Sequence, residues 1–409
     1  MHRHRPNGWL RHYAGFLSPN ATAALQVLLE RDREQRLQRL KDTLRDSAHE
    51  RFGGGSRPRM RALQVSPGAR LRWQSAPAPP PPGPDGAVVH PIASATCDID
   101  CPLVLGKSQF ALPLHLGHEC VADVLAVGER VTSVKPGDRV IVPFEISCGT
   151  CTPCLAGLQG SCTSVPPVSA YGMGLATGHW GGAFSDELAV PYADAMLVPL
   201  PDGIDPAAAA SLADNICDAY RHIGPHVPAL LAADPDAEIL IIAALNERVP
   251  FSGSVQLYVG LIARAFGARN LCMVDARPEI RAHAERLGLH AIAPRELRRR
   301  PPAPLVVDLT IDSLGVALKH TAPDGICTSS GSLHRSAKIP ALQMYVRNVT
   351  LHFGRTHARA LIPEVLELMR DGRLRPETVT TTVGSIDDAP EALREHFLSG
   401  GVKAVLTSV

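Results

Sequence analysis

The chain has 409 residues, ten of them cysteine, with a formal net charge of +1 and a hydrophobic content of 45%. This length allows two domains, and the near-neutral charge argues against a bulk nucleic-acid binder. Apolar runs stay below the roughly 18 residues that a membrane span needs, so no membrane partner is expected. Ten cysteines without a recognisable secretory segment predict a reducing, cytoplasmic environment, where clustered thiols usually bind metal.

Residues 1–58 are predicted to form an N-terminal extension, partly helical or disordered. Leucines at roughly helical spacing predict a helix over 20–51, and a glycine-rich linker follows at 53–56. The interpretation we favour is a solvated appendage. The alternatives are an oligomerisation or partner helix and, least favoured, a basic arm that contacts nucleic acid.

Residues 59–200 are predicted to be rich in β-structure. The proline run at 77–84 is too stiff and too poor in N–H donors for a helix or a central strand. Runs of apolar residues between turn signals predict strands at 60–65, 71–73, 87–92, 121–127 and 139–142.

Residues 201–355 alternate between strand and helix patterns, which predicts a parallel, doubly wound sheet. Residues 356–409 are expected to return to the first domain. The predicted strands lie at 238–244, 270–275, 305–309, 325–329, 379–383 and 402–406, and the predicted helices at 255–266, 278–287 and 358–369.

Four cysteines are spaced C-x2-C-x2-C-x7-C within a segment rich in glycine and proline turns. Four thiolates at this spacing can close a tetrahedron around zinc and leave no position for water. The spacing therefore predicts a structural zinc site. Its ligands are Cys148, Cys151, Cys154 and Cys162.

A second metal signal is weaker when taken alone. Gly117-His118-Glu119 follows Cys97 by about twenty residues, and one Cys, one His and one carboxylate can form an open zinc site. A lone histidine is usually structural, so the signal depends on its neighbours. These are the sequence CDID at 97–100, VKPGDRV at 134–140 and the four-cysteine segment.

In this order, the motifs resemble those of the zinc-dependent medium-chain alcohol dehydrogenases, from about residue 59 to residue 409. The resemblance implies a GroES-like β-barrel domain that carries two zinc ions, one catalytic and one structural, followed by a Rossmann domain. It also implies a homo-oligomer, either a dimer or a tetramer. The implied reaction is hydride transfer between NAD(P) and a small-molecule alcohol, aldehyde or ketone.

The resemblance also assigns ligands to the catalytic zinc: Cys97, His118 and a carboxylate. Asp214 is the favoured carboxylate because its position resembles the acidic ligand of some bacterial members, although aspartate is also a strong helix cap. Glu119 is an alternative or exchanging ligand. Asp100 resembles the aspartate that receives the other ring N–H of the ligand histidine and fixes its tautomer.

The expected cofactor turn departs from the G-x-G-x-x-G pattern. Residues 243–256 keep only Gly253, and Gln256 stands where the last glycine is expected. Gly253 and Ser254 are the predicted contacts of the cofactor turn. Asp275 ends the second strand and would accept the ribose hydroxyls of NAD, while nearby Arg277 leaves NADP open.

The expected proton path is altered too. Ile99 stands where the family usually has Ser or Thr, and Pro102 lies near the position of a relay histidine. Asp98, His115 or water could replace them. These departures keep a rival hypothesis open, in which the chain is a non-catalytic zinc-binding member that acts as a binding or regulatory module.

Overall fold

A computed structural model describes residues 58–408, apart from 109, 111, 175–179 and 331–337, and in addition Leu37. Leu37 lies at a helical position and is exposed. The rest of the helix predicted over 20–51, and the linker predicted at 53–56, lie outside the described residues.

Sixteen strands are described and are numbered here in chain order. They are β1 (Arg59–Ser66), β2 (Arg70–Pro77), β3 (Ala87–Ala95), β4 (Leu114–His115), β5 (Glu119–Val127), β6 (Arg139–Val142), β7 (Leu188–Val190), β8 (Val198–Pro199), β9 (Ile239–Ala244), β10 (Leu271–Asp275), β11 (Ala291–Ile292), β12 (Ala303–Asp308), β13 (Thr321–Ser329), β14 (Thr350–Phe353), β15 (Thr382–Ser385) and β16 (Ala404–Thr407).

The described α-helices are numbered in the same way. They are α1 (Asp100–Val104), α2 (Thr152–Leu155), α3 (Ala193–Met196), α4 (Pro206–Ala209), α5 (Asn215–Ile223), α6 (Val227–Ala233), α7 (Ser254–Ala265), α8 (Pro278–Arg286), α9 (Pro294–Leu297), α10 (Leu314–Lys319), α11 (Ala341–Arg347), α12 (Ala358–Arg370) and α13 (Ala389–Leu398). None of the helices in the described part of the chain is both long and apolar enough to cross a membrane.

Strands from the first half of the chain form two β-sheets, one of which also includes the last two strands. A three-stranded sheet has the order β2-β1-β4, and a larger sheet has the order β15-β16-β3-β5-β6-β8, with β7 also pairing with β3. The β1–β2 hairpin pairs along its full length, from Arg59 opposite Pro77 to Ser66 opposite Arg70, which is why β2 is longer than the predicted 71–73. The last strand, β16, pairs antiparallel with β3, so the C-terminal segment completes this sheet.

The second half forms a parallel six-stranded sheet with the order β11-β10-β9-β12-β13-β14. All six residues of β9 are buried, as expected for a central strand with helices on both faces. The chain leaves β9 toward β10 on one side and later returns to β12 on the other. The carboxyl ends of β9 and β12 therefore flank the crevice where doubly wound sheets bind ligands.

One apolar core connects the two halves. It runs from Ala93 of β3 and Val121 of β5, through Ile216 of α5 and Leu257 of α7, to Ile241 of β9. Helix α5 packs against α7 and α12, and Asp214 and Asn215 at its N-terminus contact Cys97 and Glu119 at the ends of β3 and β5. That junction holds the candidate active site.

Candidate active site

The register of the first large sheet brings the predicted zinc ligands together. Ala95, the last residue of β3, lies opposite Glu119, the first residue of β5. Cys97 follows the end of β3 and His118 precedes the start of β5, so the two side chains meet beyond the paired ends. Asp214 lies at the N-cap of α5, where its side chain makes no capping hydrogen bond to a described residue and is free to face the cluster.

Ligand atoms of Cys97, His118, Glu119 and Asp214 all lie within 4.8 Å of one another, and the four residues are buried. Oδ2 of Asp214 lies 3.2 Å from Sγ of Cys97 and 3.2 Å from Nε2 of His118. Among the described residues, neither ring nitrogen of His118 has a hydrogen-bond partner with good geometry. Buried nitrogens are seldom left in this state, so the donor set fits a metal ion that the histidine would ligate.

The electrostatics of the cluster also suit a bound cation. Burial raises the pKa of the Cys97 thiol well above its usual range, and Asp214 and Glu119 raise it further. Burial opposes protonation of His118, yet the surrounding carboxylates, Asp100 foremost, raise its pKa to about 9. A divalent cation would reverse both shifts, because it favours the thiolate and the neutral imidazole.

Asp100 lies behind the cluster and is fully buried. Its Oδ2 accepts a hydrogen bond from the backbone N–H of Cys97 at 2.8 Å. Its Oδ1 lies 3.9 Å from Nδ1 of His118 and accepts no hydrogen bond from the described residues. Asp100 thus faces the ring nitrogen opposite Nε2, which is the side expected for a carboxylate that orients a ligand histidine.

Glu119 is held by other groups. Its Oε2 lies 2.6 Å from Nζ of Lys403, and its Oε1 accepts a hydrogen bond from the backbone N–H of Asn215 at 3.1 Å. Burial raises the pKa of Glu119 to about 7, against the opposing pull of Lys403. Both oxygens are therefore engaged, which favours Asp214 over Glu119 as the carboxylate that is free to bind a metal.

The four-cysteine segment folds as a compact knuckle around α2. All four thiols are free, and their sulfur atoms lie within 4.8 Å of one another. Sγ of Cys151 lies 3.8 Å from Sγ of Cys162, close to the edge of a tetrahedron with zinc–sulfur bonds of about 2.3 Å. Backbone N–H groups of Thr150 and Cys151 point at Sγ of Cys148, as suits a thiolate, so this cluster also fits zinc.

The predicted cofactor residues are engaged with one another. Asp275 is fully buried, and its carboxylate binds the guanidinium of Arg277, with Nη2 at 2.8 Å and Nε at 2.9 Å. Nε2 of Gln256 donates to the same carboxylate at 3.1 Å. Ser254 begins α7, directly after Gly253, and its Oγ donates to the carboxylate of Asp98 at 2.6 Å.

These contacts do not fit a dinucleotide as they stand. The ribose hydroxyls would need the oxygens of Asp275 that Arg277 occupies, and the diphosphate would need the helix terminus that Asp98 occupies. The same contact removes Asp98 from the candidates for the proton path. His115, on β4, and water are the remaining candidates.

Three residues of this region were missed by the sequence analysis: Lys403, Asn215 and Ser252. The position of Lys403 could have predicted a buried ion pair, because a charged residue inside the predicted apolar strand 402–406 requires a buried partner. The identity of that partner could not be read, because Glu119 lies 284 residues away. Ser252, which donates to Asp98 at 2.9 Å, lies in a turn without a recognised motif.

Comparisons with known proteins agree with this architecture. The family description "Alcohol dehydrogenase GroES-like domain" matches residues 83–202. A probable zinc-binding alcohol dehydrogenase of Mycobacterium tuberculosis is 29% identical over 346 residues, covering 81% of this chain and 83% of its own length. A glutathione-independent formaldehyde dehydrogenase of Pseudomonas aeruginosa is 31% identical over 207 residues, about half of each chain.

A solved alcohol dehydrogenase from Thermus sp. ATN1 superposes on 85% of this chain and 99% of its own, with a TM-score of 0.74 and 27% identity. The GroES-like domain, the doubly wound sheet and the two metal-type clusters together define a zinc-dependent oxidoreductase of the alcohol dehydrogenase type. Residues 83–202 match the alcohol dehydrogenase GroES-like domain, and the chain is similar over most of its length to zinc-dependent alcohol dehydrogenases. The predicted family and fold class are thereby confirmed.

Proposed function

We propose that the chain oxidises a small alcohol, or reduces the corresponding aldehyde or ketone, at a zinc ion held by Cys97, His118 and Asp214. One observation carries the proposal. A thiol, an imidazole and a carboxylate converge within 4.8 Å in a buried site, and the imidazole nitrogens lack other partners among the described residues. Three protein ligands of these kinds leave a fourth position for a substrate oxygen.

Zinc bound there would act as a Lewis acid toward the oxygen of the alcohol or carbonyl group. The chain's own residues prepare the site for it. Asp100 holds the backbone of Cys97 and faces Nδ1 of His118, so the proton of a neutral imidazole belongs on Nδ1 and the lone pair on Nε2. Glu119, paired with Lys403, is assigned a positioning role.

A second zinc, bound by the four-cysteine knuckle, brings the proposed content to two ions per chain.

A nicotinamide dinucleotide is the hydride partner expected from the sequence resemblance, and it remains part of the proposal. In the described arrangement, Asp98, Asp275 and Arg277 occupy the positions where its diphosphate and ribose would bind. The proposed substrates are small alcohols and carbonyl compounds.

A second candidate function is a zinc-containing binding or regulatory module without turnover. The contacts at the start of α7 favour it, because the groups that would recognise a dinucleotide are already paired within the chain. The two candidates share both zinc sites and differ in whether chemistry occurs.

Turnover by zinc-loaded full-length protein separates the candidates. Initial rates should be measured with small primary and secondary alcohols and with aldehydes, each with NAD(H) and with NADP(H). The enzyme hypothesis predicts turnover that His118→Ala abolishes, together with one zinc per chain, while the other zinc is retained. His290→Ala, at an exposed position, is the matched control and should change neither. A fully zinc-loaded protein without turnover on the panel would favour the binding module.

A further inference from the structure

The N-terminus of α7 is occupied by a side chain from the other half of the molecule. Oδ1 of Asp98 accepts hydrogen bonds from the backbone N–H of Ser254 at 2.8 Å, from its hydroxyl at 2.6 Å and from the hydroxyl of Ser252 at 2.9 Å. Oδ2 accepts from the backbone N–H of Val255 at 3.4 Å. The first free N–H groups of the helix are thus satisfied by a carboxylate that lies more than 150 residues earlier in the chain.

Helix α7 follows β9, the first strand of the doubly wound sheet. In such sheets, the N-terminus of this helix attracts the dinucleotide diphosphate, because its free N–H groups and the helix dipole favour negative charge. A carboxylate makes the same interactions with the same donors. We propose that Asp98 is an internal competitor for the diphosphate, a latch that must leave α7 before a nicotinamide dinucleotide binds.

The neighbouring position, where the ribose would bind, is also occupied by side chains of the protein. The carboxylate of Asp275, at the end of β10, accepts from the backbone N–H of Arg277 at 2.9 Å as well as from its guanidinium. Nη1 of Arg277 donates to the carbonyl oxygen of Phe251. The arginine therefore ties the end of β10 to the turn before α7, across the path that the ribose would take.

Side chains also cover the turn between β9 and α7. A Cβ placed on Gly253 would lie 2.6 Å from Nε2 of Gln256 and 2.9 Å from Nη2 of Arg277, so both side chains lie directly over its backbone. A cavity of about 140 Å³ remains at the carboxyl ends of β9 and β12, lined in part by Asn246 and Thr310. Typical ligand pockets measure roughly 300–1,000 Å³, so a dinucleotide needs the covering groups to move.

The position of Asp98 gives the latch a further consequence. Asp98 directly follows Cys97, whose thiol belongs to the candidate catalytic cluster, so the latch connects the metal-binding half to the start of α7. Opening it frees the helix terminus and releases a contact between the two halves at the same place. This inference rests on the proposed function in one respect, namely that the ligand of the doubly wound domain is a nicotinamide dinucleotide.

The test is a binding titration, independent of turnover. Zinc-loaded full-length protein is titrated calorimetrically with NADH, NADPH and ADP-ribose, which carries the diphosphate without the nicotinamide. The unmodified chain should bind all three weakly. Asp98→Asn removes the negative charge and keeps the shape of the side chain, so it should bind each of them about tenfold more tightly or better. Asp123→Asn, at a surface acid paired with Arg139, is the matched control and should change nothing.

A second variant covers the case in which Asp98→Asn fails to fold, as judged by zinc content and thermal unfolding. Ser252→Ala removes one hydrogen bond to Asp98 and leaves the backbone donors of α7 unchanged. It should therefore give a smaller gain in affinity for the three ligands. Equal affinity in all variants, or tight binding by the unmodified chain, would overturn the latch. A variant that binds dinucleotide but turns over no alcohol or carbonyl compound would support the latch and count against the proposed function.

Discussion

At the scale of single residues, the buried pair of Glu119 and Lys403 connects the start of β5 to the residue before β16. Both side chains are fully buried and their charged atoms lie 2.6 Å apart. Nζ of Lys403 also donates to the backbone carbonyl of Thr96, next to Cys97, and lies 5.8 Å from the ring centre of Tyr258. Burial alone would lower the pKa of Lys403, but Glu119, Tyr258 and Cys97 together raise it above its usual value.

Removing one member of this pair should be costlier than removing both. Lys403→Met leaves the carboxylate of Glu119 buried without a counter-charge and should lower the free energy of unfolding by about 3–5 kcal/mol. The double variant Lys403→Met with Glu119→Gln should recover more than half of that loss. Urea denaturation of the zinc-loaded proteins measures both values. Equal losses in the single and double variants would show that the pair is not energetically coupled.

At the scale of elements, periodicity predicted the doubly wound half well. The strand expected at 238–244 and the helix expected at 255–266 correspond to β9 and α7, because long apolar runs and a clear helical repeat decide these elements locally. The strand expected at 379–383 is displaced to β15, since Pro376 begins a 3-10 turn there. Strand β14 was missed because it has only four residues, too few for their alternation of polar and apolar side chains to predict a strand.

The candidate site was predictable to a similar extent. The family resemblance selected Cys97, His118 and Asp214, which the fold brings together, although the helix-start position of Asp214 had left a capping role open. The contact of Asp98 with Ser254 was beyond sequence reasoning. This contact depends on how the two halves pack together. The sequence around Asp98 contains no motif that predicts which residue its carboxylate will contact.

The four-cysteine knuckle allows a prediction about one element. Cys154→Ser removes one thiolate ligand, so the chain should retain about one zinc and its melting temperature should fall by at least about 5 °C, because metal binding is coupled to folding. Elemental analysis and calorimetry make the comparison. Cys272→Ser, at a buried cysteine of β10 outside both clusters, is the control and should keep two zinc ions per chain. Unchanged zinc content in the Cys154 variant would contradict a tetrahedral site here.

At the scale of the whole molecule, α11 exposes an apolar surface. Leu342, Tyr345 and Val346 are 75%, 84% and 74% exposed, and the neighbouring strand β14 lies at one end of the six-stranded sheet. No described element covers these side chains. Exposed apolar patches beside a sheet edge commonly form interfaces, and a two-fold contact uses the same patch on both copies.

We therefore expect a homodimer that uses α11 and β14. Tyr345→Glu combined with Val346→Asp places two carboxylates in the proposed interface and should convert the dimer to a monomer. Light scattering coupled to gel filtration gives the mass directly. Leu398→Glu, at a similarly exposed leucine of α13, is the control and should leave the dimer intact. An unmodified chain that elutes as a monomer at micromolar concentration would disprove this interface.

The central claim is that Cys97, His118 and Asp214 hold a catalytic zinc, separate from the ion in the knuckle. Anomalous diffraction above and below the zinc absorption edge, on crystals of the zinc-loaded protein, tests it most directly. We predict two peaks per chain, one among the four cysteine sulfurs and one bonded to Sγ of Cys97, Nε2 of His118 and a carboxylate oxygen of Asp214. A single peak in the knuckle, with the second cluster empty at saturating zinc, would contradict the claim.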